Sequence, residues 1–203
     1  MNRKMYHTLK RLTDIAGAIV GLLAIAPLTP FIALAIKIES PGPILVKLNR
    51  VSRGKTIRIL KFRSMVDGAE LLKPSLRHLN ERGDGPFFKI RNDPRLTKTG
   101  KLIRKFRLDE FPQLWNVLRG ELSLVGPRPH EPEEVVHYPK QYAHLVLVKA
   151  GVTGLSQVNG ASKLKFLEEL TLDQHYLQRQ SLALDWKILA KTISILFFDP
   201  TAV

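Results

Sequence analysis

Two adjacent acids, Asp109 and Glu110, follow the cation-rich run KLIRKFRL and open the apolar segment FPQLWNVL. Carboxylates so placed can begin a helix or do chemistry. Asp is a favoured N-cap, Glu in the next position complements the helix dipole, and Pro112 would fall in a first turn that tolerates it. If Asp109 caps and Glu110 is the first helical residue, both carboxylates can still enter one pocket at a helix end that favours anions. Further along, Arg128 stands between Pro127 and Pro129, which stiffen the backbone on both sides and suit a guanidinium to bidentate phosphate binding. Lys61 and Arg63 alternate on a predicted strand and would share one face, either as phosphate ligands or as a solvated basic edge. Arg104 adds a cation close to the acids.

Thirty-two Lys and Arg against eighteen Asp and Glu give a net charge of +14, which asks for a polyanionic partner. The chain has no cysteine, so thiol nucleophiles and cysteine-ligated metals are excluded. Any catalyst must be built on oxygen, nitrogen or a metal.

The elements that would position these residues begin with Ile15 to Ile36, twenty-two residues without a charge. As one helix the run would measure roughly 33 Å, close to a bilayer core. It is too long for an ordinary signal peptide. Basic residues flank both ends, from Arg3, Lys4, Lys10 and Arg11 to Lys37, Lys47 and Arg50, so both ends belong on the cytoplasmic side. Pro27 and Pro30 interrupt the middle. The prediction is a re-entrant helix–break–helix with arms Ile15–Ala26 and Pro27–Ile36. A β-hairpin is expected around Arg53-Gly54, a helix and then a long loop over residues 66–92, and helices on either side of Leu108-Asp109. Together, the acid pair, the rigid Arg, the surrounding cations and the membrane hairpin point to phosphoryl chemistry on a lipid-borne substrate.

The run FFKIRNDPRLTKTGKLIRKFRLDEFPQLWNVLRGELSLVGPRP closely resembles the core signature of the bacterial sugar transferases, monotopic enzymes that load a sugar phosphate onto polyprenol phosphate. The likeness continues through KFRSM, GVTGLSQVNG and LDQHYLQRQSLALDWKIL, nearly the whole chain. It implies that Asp109 is a nucleophile and Glu110 its partner and a Mg²⁺ ligand. It further implies that a UDP-sugar and undecaprenyl phosphate are the substrates, with UMP released after an aspartyl-phosphosugar intermediate forms. Lys61, Arg63, Arg104 and Arg128 are then the candidate phosphate ligands, and Gln157, Asn159, Lys163 and Asp173 candidate nucleotide or sugar contacts. The resemblance places the protein on the cytoplasmic face of a bacterial inner membrane, without nucleic acid and with a homodimer left open, at the start of exopolysaccharide or lipopolysaccharide assembly. The GPFFKIRNDPR insert resembles the hexose-1-phosphate type, so UDP-glucose or UDP-galactose is the first expectation. The chain departs from the family pattern at Ala26-Pro27, where Ser-Pro is usual, and at Ala150, Ser156 and His175. It departs again at Ala161, where Arg is frequent.

The expected fold is α+β and mostly helical, with residues 1–40 forming the re-entrant segment and 41–203 a catalytic domain. Its C-terminal helix carries Trp186 and would lie in the membrane interface. His130, His137 and His144 recur every seven residues, but prolines interrupt the segment and an exposed polar stretch is expected there. Two other readings remain open, a membrane-tethered basic binding protein and a lipid-phosphate phosphatase using the same acids. Sparse aromatics weigh against nucleic-acid stacking.

Overall fold

The computed structural model describes residues 2–160 and 163–198. Ala161 and the last residues of the 41–203 region lie outside it. The chain folds as an α+β unit. Helix α1 (Arg3–Ile25) is followed after a three-residue break by α2 (Thr29–Glu39), and the two are bent by 62°. No single helix among the described residues is long and apolar enough to cross a membrane; the bent pair meets that test only together.

The break is where the prolines asked for it, but the arms differ from expectation. The first begins at Arg3, a dozen residues early, because Asn2 caps it by accepting from Lys4 N. Pro30 does not break anything. It sits in the first turn of α2, where a missing N–H is tolerated. The Ile25 carbonyl accepts from Leu28 N and also from Thr29 Oγ1, both at 3.0 Å, so a hydroxyl reaches the break although Ala26 has none. One side of the pair is buried through Ala18, Ile25, Ile32 and Ile36. The other leaves Ile19, Val20, Leu23, Phe31, Leu34 and Ile38 exposed at 45–77 %. Covering that side would stabilise each by on the order of 1–2 kcal/mol, since each is already partly buried.

A hairpin follows, β1 (Leu45–Ser52) pairing antiparallel with β2 (Lys55–Phe62). Its two-residue turn is Arg53-Gly54, both at positive φ (52° and 68°), as such tight hairpins require. Residues 66–92 correct the expectation of a helix. They form only short 3₁₀ turns at Ala69–Leu72 and Arg77–Leu79, because Leu71, Leu72 and Leu79 stay exposed and Gly68 and Pro74 punctuate the run.

Then come α3 (Lys98–Lys105), α4 (Gln113–Leu118), β3 (Ser123–Val125), α5 (Pro132–Val135) and β4 (Gly151–Thr153). The chain finishes with α6 (Leu155–Val158), α7 (Phe166–Gln178) and α8 (Leu182–Phe198). Strands β3 and β4 pair in parallel, in register Ser123 with Gly151 and Val125 with Thr153. The main core joins Ala18 of α1, Val117 of α4, Leu122, Val125 of β3, Tyr176 of α7 and Ile188 of α8. A second core joins Ile25, Ile32 and Ile36 to Phe62 and Ile103, so the helix pair shares its packing with the rest of the chain. Trp186 of α8 is exposed while Asp185 and Ile188 are buried.

Candidate active site

The acids lie on a single 3₁₀ turn, Leu108–Glu110, between α3 and α4. Arg107 enters that turn at φ 52°, a conformation that costs a non-glycine residue about 1 kcal/mol and that reverses the chain out of α3. The capping reading of Asp109 is corrected here. The N-cap of α4 is Pro112, Arg107 precedes the turn, and neither end has a side-chain cap. Asp109 is instead 6 % exposed and lines a cavity of about 420 Å³, with Glu110 beside it.

Cations converge on the pair from separate elements. Lys61, near the end of β2, sets its Nζ 2.6 Å from Glu110 Oε1. Arg104 of α3 reaches the same cavity and donates from Nε to Ser64 Oγ at 2.8 Å. That contact depends on a close approach: a Cβ on Gly100 would stand 1.8 Å from the Ser64 carbonyl oxygen, so α3 can lie here only with glycine. Arg107 lines the cavity too, and its buried Nε has no hydrogen-bond partner among the described residues.

Arg128 is held by its backbone. Gly126 and Gly151 bring β3 and β4 so close that a Cβ on Gly151 would stand 2.1 Å from Gly126 N. The chain leaves this crossing through Pro127, and Arg128 N donates to Asp173 Oδ2 at 2.9 Å. Asp173, fully buried on α7, also accepts from Ser156 Oγ at 2.8 Å. The Arg128 side chain remains 40 % exposed towards the cavity, with Nε 3.7 Å from Glu169 Oε1. Glu169 in turn accepts from His130 Nε2 at 2.6 Å, while His130 Nδ1 meets the Tyr138 hydroxyl. The histidine segment is therefore not an exposed polar stretch at its start: His130 is 2 % exposed and anchors the Arg128 turn to α7.

Of the residues singled out in the sequence, Asp109, Glu110, Lys61, Arg104, Arg128, Gln157 and Lys163 line this cavity. Three do not. Arg63 is buried and spends its guanidinium on the Ser40 and Pro41 carbonyls, tying the end of α2 to the hairpin, because β2 has ended before it. Asn159 is exposed and bonds Leu155 O and Lys191. Asp173 is a support under Arg128. Sequence reasoning missed His130, Glu169 and the Asp93–Arg95 pair, joined at 2.6 Å on the cavity wall. The DPR spacing was the one available signal, since the His130–Glu169 contact links residues 39 apart.

Electrostatics separate the two acids. Burial pushes the Asp109 carboxyl above the usual carboxylate range, with Glu110 adding to the rise and Lys61 and Arg104 opposing it. Burial also opposes charge on Glu110, but the Lys61 charge and hydrogen bond, with Arg128 and Arg107, outweigh it and hold that carboxyl low. A charged Glu110 next to a buried Asp109 is thus the ground arrangement. Its donor set fits Mg²⁺, which takes one or two carboxylates together with substrate phosphate oxygens. Among the described residues no cluster of three or more His, Asp or Glu forms a closed metal cage.

The site is thus an acid pair walled by cations, on an α+β scaffold bearing a half-exposed apolar helix pair. The chain belongs to the bacterial sugar transferase family, whose model matches residues 5–199. It is 40 % identical to the galactosyl transferase CpsE of Streptococcus agalactiae over 95 % of this chain and 43 % of that protein. It is 37 % identical to the undecaprenyl-phosphate glucose phosphotransferase of Komagataeibacter xylinus, over 95 % of this chain and 36 % of that one. The exopolysaccharide production protein ExoY of Sinorhizobium fredii is 34 % identical over 91 % of this chain and 83 % of its own. The chain thus spans less than half the length of the first two relatives and most of the third.

Proposed function

We propose that this protein transfers a hexose 1-phosphate from a UDP-sugar to undecaprenyl phosphate, giving a lipid diphosphate sugar and UMP. The buried Asp109 among Lys61, Arg104 and Arg128 carries the reading. Its carboxylate oxygen attacks the phosphorus that bears the sugar; the bond from that phosphorus to the bridging oxygen breaks, and UMP leaves with the electron pair. An oxygen of the lipid phosphate then attacks the same phosphorus. The aspartyl–phosphorus bond breaks and the carboxylate is regenerated.

A carboxylate is a weak nucleophile, and a diphosphate repels it, so the residues around it must neutralise charge. Lys61 holds Glu110 ionised, and both can turn to the substrate as it arrives. Arg128, fixed through its backbone, presents a planar fork to phosphate oxygens with little freedom left to lose. Glu110, with Asp109 beside it, would hold Mg²⁺, which would offset the negative charge of the diphosphate. Gln157 and Lys163 are on the wall available to the nucleotide or sugar.

The setting is proposed to be the cytoplasmic face of the bacterial inner membrane, with α1–α2 as a re-entrant anchor. The exposed apolar side of that pair and the basic residues at both its ends support this placement. Relatives named for galactose and for glucose favour a hexose. The test is UMP release from a panel of UDP-sugars, in membranes with and without undecaprenyl phosphate. Turnover with UDP-glucose or UDP-galactose only when the lipid is present is expected. Inorganic phosphate release with water as acceptor, or no turnover with any UDP-sugar, would reject it.

A further inference from the structure

A second cavity, of about 580 Å³, lies away from the acids between the first turns of α1, the Arg53 turn, the end of α4 and residues 147–149. Six cations line it, Arg3, Lys10, Arg11, Arg53, Arg119 and Lys149, against the single carboxylate of Asp14. Asp14 is buried, accepts from Ser123 Oγ and Leu124 N, and forms no ion pair with these cations among the described residues. Lys10 is paired with Asp185 at 2.9 Å, and Arg11 donates to the Val117 and Leu118 carbonyls at the end of α4. Arg3, Arg53, Arg119 and Lys149 have no carboxylate within ion-pair distance among the described residues.

Such crowding is unfavourable without an anion. Burial, followed by the charge of Arg53, holds the Lys149 ammonium below the usual lysine range, against the opposing charge of Asp14 and with Arg11 and Lys10 acting in the same direction as Arg53. A fold that gathers like charges around a concave, partly buried space is stabilised by whatever anion enters it. The place is informative too. Lys10 and Arg11 precede the charge-free run at Ile15 by about one helical turn, roughly 6 Å along α1, so the cavity opens beside the point where the apolar helix begins.

We propose that this cavity is a second anion site, distinct from the Asp109 cavity, which binds a phosphate group through Arg53, Arg119 and Lys149. The phosphate group belongs to an anionic lipid headgroup or to a soluble phosphate compound. Lys10, Arg11, Tyr6 and Tyr176 also line the cavity.

The full chain in nanodiscs of phosphatidylcholine, titrated calorimetrically with inorganic pyrophosphate, tests this. Two classes of site are expected. Arg53→Ala with Lys149→Ala should weaken one class by about tenfold or more, as loss of two charge-assisted contacts implies, and leave the other. Lys61→Met with Arg128→Ala should do the reverse. Replacing half of the phosphatidylcholine with phosphatidylglycerol assigns the source. Competition at the Arg53 site alone identifies a lipid headgroup, and unchanged pyrophosphate binding there identifies a soluble phosphate. A single class of site in the wild type, or both classes intact in Arg53→Ala/Lys149→Ala, would overturn the proposal. Melting curves report whether a variant folds, and Arg119→Gln with Lys149→Gln replaces the alanine pair if it does not.

Discussion

The two cavities are both cationic, yet they treat charge differently. Around Asp109 many of the cations have acidic partners, Lys61 with Glu110, Arg128 with Glu169, Arg95 with Asp93 and Lys73 with Glu131, whereas Arg104 and Arg107 have none among the described residues. Beside the start of α1, five of the six, all but Lys10, have none among the described residues. Paired cations in a partly buried wall are held in place before a substrate arrives and can exchange one anion for another. Unpaired ones repel one another until an anion is bound. On the readings proposed above, the first cavity is a site for turnover and the second a site for occupancy, and substitutions in each should have different signatures.

The largest effect should come from Asp109. Asp109→Asn keeps the shape but removes the proposed nucleophile, so UMP release should fall by more than about a thousandfold. Stability should move the other way. Burial disfavours the ionised carboxylate in the folded protein, and the amide carries no such penalty, so melting should be unchanged or higher. A lower melting temperature would mean that Asp109 supports the fold after all.

Arg128→Lys should lower kcat/KM by about ten- to a hundredfold with melting unchanged, because charge remains while the planar fork is lost. The backbone bond to Asp173 does not depend on that side chain. Near wild-type turnover would make Arg128 incidental. The same measurement on Arg53→Ala/Lys149→Ala should show intact chemistry, which sharpens the contrast between the cavities.

The smallest effect concerns the support beneath Arg128. Burial pushes the Asp173 carboxyl up to about 6, with Glu169 adding and the Arg128 N–H and Ser156 opposing. A folded-state value above the unfolded one of about 4 means that the folded protein binds the proton more tightly. Its stabilising contribution is complete below about pH 4 and is lost as pH rises towards 6. Asp173→Asn should remove that dependence, so the melting difference between variant and wild type should change across this window and be flat above it. A constant difference would place the Asp173 titration elsewhere.

Local chemistry was legible in the sequence, and contacts between distant segments were not. The Arg53-Gly54 turn, the proline break and the proline-flanked Arg128 could all be read because a few adjacent residues determine them. The same locality misled at Asp109, where a good capping pattern gave way to a 3₁₀ turn set by Arg107. Lys61 and Arg63 alternate correctly, yet the strand ends between them, so one faces the acids and the other locks α2. His130 and Glu169 meet only because α7 packs against the Arg128 turn, and no spacing announces that. The helix expected within residues 66–92 gives way to short 3₁₀ turns, where Leu71 and Leu79 stay exposed.

The central claim is that Asp109 becomes covalently phosphorylated by the sugar phosphate. Mixing the protein with UDP-sugar in the absence of lipid acceptor, followed by protease digestion and peptide mass spectrometry, tests it directly. The account predicts a hexose-phosphate adduct on the peptide containing Asp109, absent from Asp109→Asn and discharged when undecaprenyl phosphate is added. An adduct on another peptide, or full UMP release by Asp109→Asn, would contradict it.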